Sequence, residues 1–251
     1  ILVGTDFSRA AENAVDRATE IAKATRAALH VLNASSPLPR AIVRTLLGGK
    51  DQRVERAAVE SALARARAAG VAAHGHQVKG APSTALRAKA RELSAAMIVV
   101  GARGRTVPDT FVGSTAERVA AAVRVPVLLV RRPAQRAYRA VVIAAAASSD
   151  LRAAVAGAAI SAPGCAFTVL HAYEGPFEGK LRMHGASAAT LRDYRRGARR
   201  EAQATLARRM AEAGLGPGAL VLRHGDPRRV LDREGRKRRD VLLVIARGRS
   251  E

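Results

Sequence analysis

Short apolar runs alternate with longer segments of helical period along this chain of 251 residues. In the first half, the apolar runs predict strands near Ile1–Thr5, Leu29–Ala34, Ala72–Val78, Met97–Gly101 and Val127–Val130. The segments between them predict helices, one after an N-cap at Ser8 and others at Asp51–Ala69, Ser83–Leu93 and Thr115–Val123. Apolar strands separated by helices are typical of a parallel sheet that helices cover on both faces. The sequence therefore predicts an α/β fold.

The second half of the chain repeats this plan at an offset of about 140 residues. Four ordered matches carry the repeat, and one of them aligns Val99–Arg105 (VVGARGR) with Leu243–Arg249 (LVIARGR). The repeat predicts a first domain at 1–132, a linker at 133–139 and a second domain at 140–251 that ends after its fourth strand. Ile1 already belongs to a strand, so we expect further residues to precede it in the natural chain.

Charge and cysteine content narrow the classes of function. A net charge of +22 would suit a polyanion partner, because Lys and Arg side chains supply most non-specific affinity for nucleic acid. However, 21 basic and 10 acidic residues precede Pro133, and 22 basic and 11 acidic residues follow it. This even spread, in a chain with 37 Arg and 56 Ala residues, indicates a compositional bias rather than a binding arm. The single cysteine, Cys165, excludes a disulfide scaffold and fits a reducing cytoplasm, and no apolar run reaches the roughly 18 residues of a membrane span.

One segment joins a strand end to a helix start through glycines. Gly101-Ala102-Arg103-Gly104 follows the fourth strand, and Gly113-Ser114-Thr115 opens the next helix after eight further residues. Glycines allow a close backbone approach and the free N–H groups of a helix N-terminus attract anions, so this segment suits a phosphate group. Asp6 ends the first strand, and its carboxylate flanks the same crevice if the first and fourth strands are neighbours. Ser114 with Glu117 also fits a capping box, and Asp6 by itself also fits a turn.

The chain resembles the universal stress protein family over nearly its whole length. The resemblance rests on Thr5-Asp6-Phe7-Ser8, Leu29-His30-Val31, Gly80-x-Pro82, Ile98–Gly104, Gly113–Val119 and Val125–Val130. It implies two tandem open parallel-sheet α/β domains with strand order 3-2-1-4-5, the second of which lacks its fifth strand. The ATP signature of the family is Gly, two residues, Gly, nine residues and then Gly-Ser or Gly-Thr, whereas this chain has eight residues in the second gap.

The same resemblance implies an adenine nucleotide site in the first domain, with ATP as the ligand and Mg²⁺ as an optional companion ion. Asp6 and backbone groups of Thr5 and Val31 would hold the adenine and the ribose, with Gly101 close to the ribose. The phosphates would lie in a cradle formed by Gly104, Gly113, Ser114 and Thr115, and Arg103 completes the implied nucleotide-binding residues.

The expected function is that of a cytoplasmic stress-response module in which nucleotide binding acts as a switch. Neither motif nor spacing supplies a catalytic base, and we expect no enzymatic activity, no redox cofactor and no metal site. The resemblance also implies pairing through the fifth strand, either between two chains or between the two domains, by Val127, Leu128, Leu129 and Val130. A second hypothesis is a scaffold of the same family that dimerises and binds no nucleotide.

A basic stripe supports a third hypothesis. Five arginines recur at helical spacing, so a helix there would carry them on one face: Arg192, Arg195, Arg196, Arg199 and Arg200. The segment 192–209 could dock a polyanion through this face, but an Arg-rich chain also produces such a face as a solvated surface, and we favour the solvated surface.

Two further features of the sequence lead to negative expectations. His74 and His76 have no other Cys or His at ligand spacing, so we expect solvated loop histidines rather than a metal site. In the second domain, Ala146 and Ile245 stand where the first domain has Asp6 and Gly101. We therefore expect that the second domain does not bind nucleotide in this way.

Overall fold

The computed structural model describes residues 1–35, 52–102, 114–146, 148–237 and 240–246. The chain forms two compact units, at 1–137 and 138–251, and the division falls inside the segment 133–139 that the sequence predicts as a linker. Each unit contains one parallel sheet.

The first unit has a five-stranded sheet in the order β3-β2-β1-β4-β5. Its strands are β1 (Leu2–Thr5), β2 (Leu29–Ser35), β3 (Ala73–Lys79), β4 (Ile98–Gly101) and β5 (Val127–Val130). Every pairing is parallel, and Val3 of β1 lies opposite Val31 of β2 on one side and Val99 of β4 on the other. The predicted fold class and the strand order implied by the resemblance are confirmed for this unit.

The described helices of this unit are α1 (Arg9–Thr25), α2 (Gln52–Ala68), α3 (Pro82–Glu92) and α4 (Ser114–Ala122). At the start of α1, the Ser8 hydroxyl accepts a hydrogen bond from the Ala11 N–H at 3.2 Å, as a Ser N-cap should. The helix ends where Arg26 takes up a left-handed conformation with φ 53°. The predicted capping residue and helix are therefore both present.

Helices cover both faces of the first sheet. On one face Leu2 and Leu32 of the sheet pack with Leu86 of α3 and Val119 of α4. Because side chains alternate along a strand, Val3 of β1 points to the opposite face, where α1 lies against β1 and β4. Burial on both sides explains why these strands read as continuous apolar runs.

The second unit has a four-stranded parallel sheet in the order β8-β7-β6-β9, within the described residues. Its strands are β6 (Ala140–Ala144), β7 (Phe167–Tyr173), β8 (Leu220–His224) and β9 (Val241–Ile245). Its described helices are α5 (Leu151–Ser161), α6 (Glu178–Met183), α7 (Ala188–Glu212) and α8 (Pro227–Lys237). The second predicted parallel-sheet domain is thus an α/β unit as well.

Both units share one turn conformation after the third strand of their sheets. Gly80 follows β3 with φ 134°, and Gly225 follows β8 with φ 125°. Glycine is favoured at such angles because a side chain would meet the backbone. Pro82 and Pro227 then begin α3 and α8, where the fixed φ of proline suits the first helical residue.

Candidate functional site

The candidate site lies where β1 and β4 end. Strand β1 is paired with β2 on one side and with β4 on the other, so the direction of chain progression reverses between β1 and β4. In open parallel sheets, ligands bind in the crevice outside the carboxyl ends of the strands at such a switch point. Because β1 and β4 are parallel, Thr5 at the end of β1 and Asp6 directly after it lie at the same edge of the sheet as Gly101, the last residue of β4.

A tight turn presents Asp6 at this crevice. The Thr5 hydroxyl accepts the Phe7 N–H at 3.1 Å, and the Asp6 Oδ1 accepts the Ser8 N–H at 3.0 Å. Phe7 has φ 58°, so the chain reverses here through one left-handed residue before α1 begins. The Asp6 side chain is exposed, and its Oδ2 has no hydrogen bond to a described residue. The turn therefore uses one carboxylate oxygen and leaves the other one open to solvent.

Asn33 is a polar residue of this region that the sequence analysis missed. It pairs with Thr5 in the register, is only 5% exposed, and its Nδ2 donates to the Thr5 carbonyl at 3.0 Å. This bond holds the end of β1 against β2. A polar residue near the end of the predicted strand Leu29–Ala34 was the available signal, because the register of two parallel strands then puts Asn33 beside the end of β1.

The structure does not bring Val31 to the crevice. Val31 lies opposite Val3 in the middle of the sheet and is fully buried, two residues before Asn33. Its backbone belongs to the interior of β2, between β1 and β3. The role that the resemblance implies for Val31 stays a prediction, with no support from its position.

Gly101 has a packing role at the end of β4. A Cβ atom on this residue would lie 2.8 Å from both the carbonyl carbon and the carbonyl oxygen of Ala10, which is backbone of α1. Contacts this short between a Cβ and backbone atoms do not occur in real structures, so the close approach of α1 to β4 requires glycine here.

The phosphate half of the predicted site is only partly within the described residues. Arg103, Gly104 and Gly113 lie outside them. Ser114 and Thr115 are the first two residues of α4, where Ser114 is exposed and Thr115 is half-buried. The start of α4 therefore offers a helix N-terminus that follows β4 in the chain, as the sequence predicts.

The expectation of loop histidines at positions 74 and 76 is wrong. Both residues lie on β3, and their rings stack with that of His30 on β2 at centroid distances of 5.0 and 5.3 Å. His30 Nδ1 and His76 Nε2 are 3.0 Å apart. Burial lowers the pKa of His30 and of His76, and the neighbouring histidines lower that of His30 further. Among the described residues, no group of His, Cys, Asp or Glu side chains has an arrangement that could hold a metal ion.

The corresponding strand ends of the second unit lack the carboxylate. Ala146 replaces Asp6, and its N–H donates to the Ser149 hydroxyl at 2.8 Å. Ile245, at the end of β9, replaces Gly101 and is 68% exposed. These residues offer no charged acceptor for a ribose, and the expectation that this unit does not bind nucleotide in the same way stays a prediction.

A different polar cluster lies at the carboxyl ends of β7 and β8 in the second unit. Glu178 is buried, and its Oε1 accepts from Arg182 at 2.5 Å and from Arg195 at 2.5 and 3.0 Å. Its Oε2 is 2.7 Å from Nε2 of His224, the last residue of β8. The hydrogen bonds from Arg195 and the hydrogen bond with His224 outweigh the opposing effect of burial and lower the pKa of Glu178 to about 2. Glu178 is therefore ionised at neutral pH.

The comparisons with known proteins assign the family. The model of the universal stress protein family matches residues 1–131, which is more than half of the chain. The chain belongs to the universal stress protein family. A comparison with curated proteins gives no match. None of the described helices is both long and apolar enough to cross a lipid bilayer.

Solved structures of the same family resemble this chain. A universal stress protein in complex with cAMP is 35% identical, with 51% of this chain and 94% of that chain covered and a TM-score of 0.42. A universal stress protein of Archaeoglobus fulgidus in complex with dAMP is 23% identical, with coverage of 51% and 94% and a TM-score of 0.40. One from Pseudomonas aeruginosa is 16% identical, but it covers 98% of this chain and 80% of its own, with a TM-score of 0.62. The last comparison extends the likeness of fold to the second unit.

Proposed function

We propose that the first unit binds ATP or a related adenine nucleotide at the carboxyl ends of β1 and β4. The observation that carries the proposal is the exposed Asp6 carboxylate at the switch point of the sheet, in a chain that belongs to the universal stress protein family. An ionised carboxylate only accepts hydrogen bonds, and the two hydroxyls of a ribose can donate them. The open Oδ2 of Asp6 is available for such a bond.

The same end of the sheet suits the phosphates. The N-terminus of α1 follows Asp6 directly, and α4 begins at Ser114 after β4. Free N–H groups and the helix dipole at such termini favour negative charge. The family resemblance assigns the phosphates to Gly104, Gly113, Ser114 and Thr115, and the last two of these residues begin α4.

The nucleotide acts as a signal in this proposal rather than as a substrate. Asp6 has no hydrogen bond or ion pair with a histidine or a second carboxylate among the described residues. General acid–base catalysis requires a side chain within hydrogen-bond reach of the transferred proton, and no motif in the sequence supplies such a base. A ligand that binds one of two conformations more tightly shifts their populations, which is sufficient for a switch.

The test is a calorimetric titration of the full chain with ATP, AMP and GTP, after release of any bound molecule by denaturation and its identification. The cyclic and deoxy monophosphates join the panel because they are the ligands named for two family structures. We expect adenine nucleotides to bind and GTP to bind more weakly. Incubation with ATP should release no inorganic phosphate above the buffer control.

Two variants test whether nucleotide binding depends on the charge of Asp6 rather than on the turn that contains this residue. Asp6→Asn keeps an oxygen that can accept the Ser8 N–H but replaces the second acceptor with a donor, so the turn persists while the bond to ribose is lost. We expect Asp6→Asn to weaken adenine nucleotide binding about tenfold or more, since a hydrogen bond to a charged group contributes about 1.5–3 kcal/mol. Asp16→Ala, an exposed carboxylate on α1, is the matched control and should leave binding unchanged. No adenine nucleotide binding at millimolar concentration, or equal effects of both variants, would contradict the proposal.

A further inference from the structure

The second unit has a pocket whose walls are almost entirely arginine. The pocket has a volume of about 270 Å³ and is lined by Arg192, Arg195, Arg196 and Arg199 of α7 and by Tyr173, the last residue of β7. The four arginines have helical spacing i, i+3, i+4 and i+7, so they project from one face of α7 over two turns. The lining residues include four arginines and no acidic residue.

Two contacts of Tyr194 hold α7 in place beside the strand ends. The ring of Tyr194 packs so closely on Gly175 that a Cβ there would lie 2.1 Å from its Cε1 atom. The Tyr194 hydroxyl also accepts the N–H of Phe177 at 3.2 Å. The loop after β7 is therefore fastened to the N-terminal half of α7, next to the pocket.

Glu178 fixes the orientation of one pocket arginine. The Glu178 side chain is only 3% exposed, and both Nε and an Nη of Arg195 donate to its Oε1. His224 holds the other carboxylate oxygen, and the Tyr173 ring meets the His224 ring edge-on at 5.5 Å. A guanidinium held in this way loses little conformational freedom when it binds a ligand.

The remaining arginines leave positive charge uncompensated. Arg196 pairs with Asp193, whereas Arg192 and Arg199 have no ion pair or hydrogen bond with any described residue. Guanidinium groups on one face of two successive helical turns repel each other, and an anion between them removes that repulsion. Arg192 and Arg199 are seven residues apart, which corresponds to about 11 Å along a helix.

We propose that this pocket binds a short polyphosphate group, either inorganic or at the end of a nucleotide. A planar guanidinium matches the oxygens of a phosphate in two hydrogen bonds, and several of them around one concave pocket suit linked phosphates. The pocket lies outside the carboxyl ends of β7 and β8, where parallel sheets place ligands. It is separate from the Asp6 crevice of the first unit, so it does not depend on the function proposed there.

The pocket contains only part of the basic stripe. Arg200 is exposed but lies outside the pocket, and Arg209 donates to the Ser149 carbonyl within the same unit. The pocket arginines are the part of the stripe that surrounds a concavity, and a concavity of this size fits a compact phosphate ligand.

The test measures binding of inorganic triphosphate, pyrophosphate and phosphate to the full chain by calorimetry at near-physiological salt. The pocket variant is Arg192→Gln with Arg199→Gln, two exposed residues whose loss should leave folding intact. The matched control is Arg200→Gln with Arg208→Gln, which removes the same charge from the same helix outside the pocket. We expect triphosphate to bind more tightly than phosphate, with at least a tenfold loss in the pocket variant and less than a twofold loss in the control.

Two further measurements identify the source of the phosphates and distinguish binding at this pocket from binding in the first unit. Displacement of triphosphate by ATP at lower concentration than by inorganic pyrophosphate indicates a nucleotide ligand, and the reverse order indicates an inorganic one. Asp6→Asn should leave triphosphate binding unchanged. The proposal is overturned by equal losses in the pocket and control variants, by absence of triphosphate binding, or by a single-stranded oligonucleotide whose binding depends equally on Arg200, Arg208 and the pocket arginines.

Discussion

Gly101 ends β4 at a point where the backbone of α1 lies against the strand. A glycine in a nucleotide signature is usually explained by the ligand, but here the fold itself already requires one. The atoms that a Cβ would meet belong to the backbone of Ala10, so rotation of a side chain cannot relieve the contact. The same residue therefore positions α1, and with it the turn that carries Asp6.

Replacement of Gly101 by alanine should destabilise the protein even without ligand. We expect Gly101→Ala to lower the free energy of unfolding by about 1–3 kcal/mol, the usual range for forcing an extra carbon into a packed core. Urea denaturation followed by far-UV circular dichroism measures this change.

Gly75→Ala in the same sheet is the matched comparison. A Cβ at Gly75 would lie 2.9 Å from Leu63 Cδ1 and 2.9 Å from Val59 Cγ1, which are ends of side chains that also line an open groove. Side-chain atoms give way more readily than backbone atoms, so the loss should be smaller than that of Gly101→Ala. An equal loss in both variants would show that the backbone contact of Gly101 is not the cause.

At the scale of the elements, β2 and β3 carry a cluster of three histidines, in which the rings of His74 and His76 both stack with that of His30. Burial is the first cause of the lowered pKa of His30 and His76. Lys89 of α3 opposes protonation of both His30 and His76, while Glu92 of α3 favours protonation of His76. The causes that lower the pKa values of His30 and His76 outweigh the opposing effect of Glu92. Just below the ordinary histidine pKa of about 6.5, the folded chain therefore binds fewer protons than the unfolded chain.

These histidines should make stability sensitive to mild acid. A group with a lowered pKa in the folded state leaves stability intact above the unfolded pKa and reduces it as the pH falls through about 6.5 toward the folded value. We expect His30→Gln to reduce the loss of stability between about pH 7.5 and about pH 5.5, because one charge no longer has to enter the cluster. The midpoint of urea unfolding at the two pH values measures this loss.

His184→Gln, an exposed histidine of the second unit that lies outside the cluster, is the control and should keep the full pH dependence of the native chain. A His30→Gln protein with unchanged pH dependence would assign the acid sensitivity to other groups.

The elements themselves were predictable because their signal is strong. The predicted strand Val127–Val130 is the observed β5, and the predicted helix Thr115–Val123 is α4 shifted by one residue. The apolar runs of buried strands and the helical spacing of apolar residues can be recognised in the sequence without knowledge of contacts between distant segments. The Ser8 cap is equally local, since it depends on residues three apart.

Details of the site were harder to predict because they depend on register between distant segments. His30 meets His76 only because β2 and β3 pair with His30 opposite His74. The same pairing principle makes Asn33, and not Val31, the β2 residue that lies opposite Thr5. Likewise, the basic stripe was predictable as a helix face, but the pocket depends on Tyr173 and on the anchor at Glu178, which lie on other elements.

At the scale of the whole molecule, the two edges of the first sheet differ in chemistry. The edge strand β3 has the sequence AHGHQVK, with polar residues exposed, whereas the opposite edge strand β5 has the sequence VLLV. Polar residues on an edge discourage pairing with another sheet, and an apolar edge permits it. Assembly through β5, which the family resemblance implies, is therefore favoured over assembly through β3.

A single substitution can test assembly through β5 without breaking its pairing with β4. The carbonyls of Pro126 and Val130 face β4, because they accept hydrogen bonds from the N–H groups of Ile98 and Ala102. Successive residues of a strand direct their N–H and carbonyl groups to alternate sides, so the N–H of Leu129 points away from β4. Leu129→Pro removes that outward donor, and proline is tolerated on edge strands. Gln77→Pro is the control, because the Ala72 carbonyl faces β2 and the N–H of Gln77 therefore points outward from β3.

In light scattering coupled to size exclusion, we expect the native chain and Gln77→Pro at twice the chain mass of 26.4 kDa and Leu129→Pro at the single mass. A native monomer, or a Leu129→Pro dimer with unchanged circular dichroism, would mean that chains do not associate through β5.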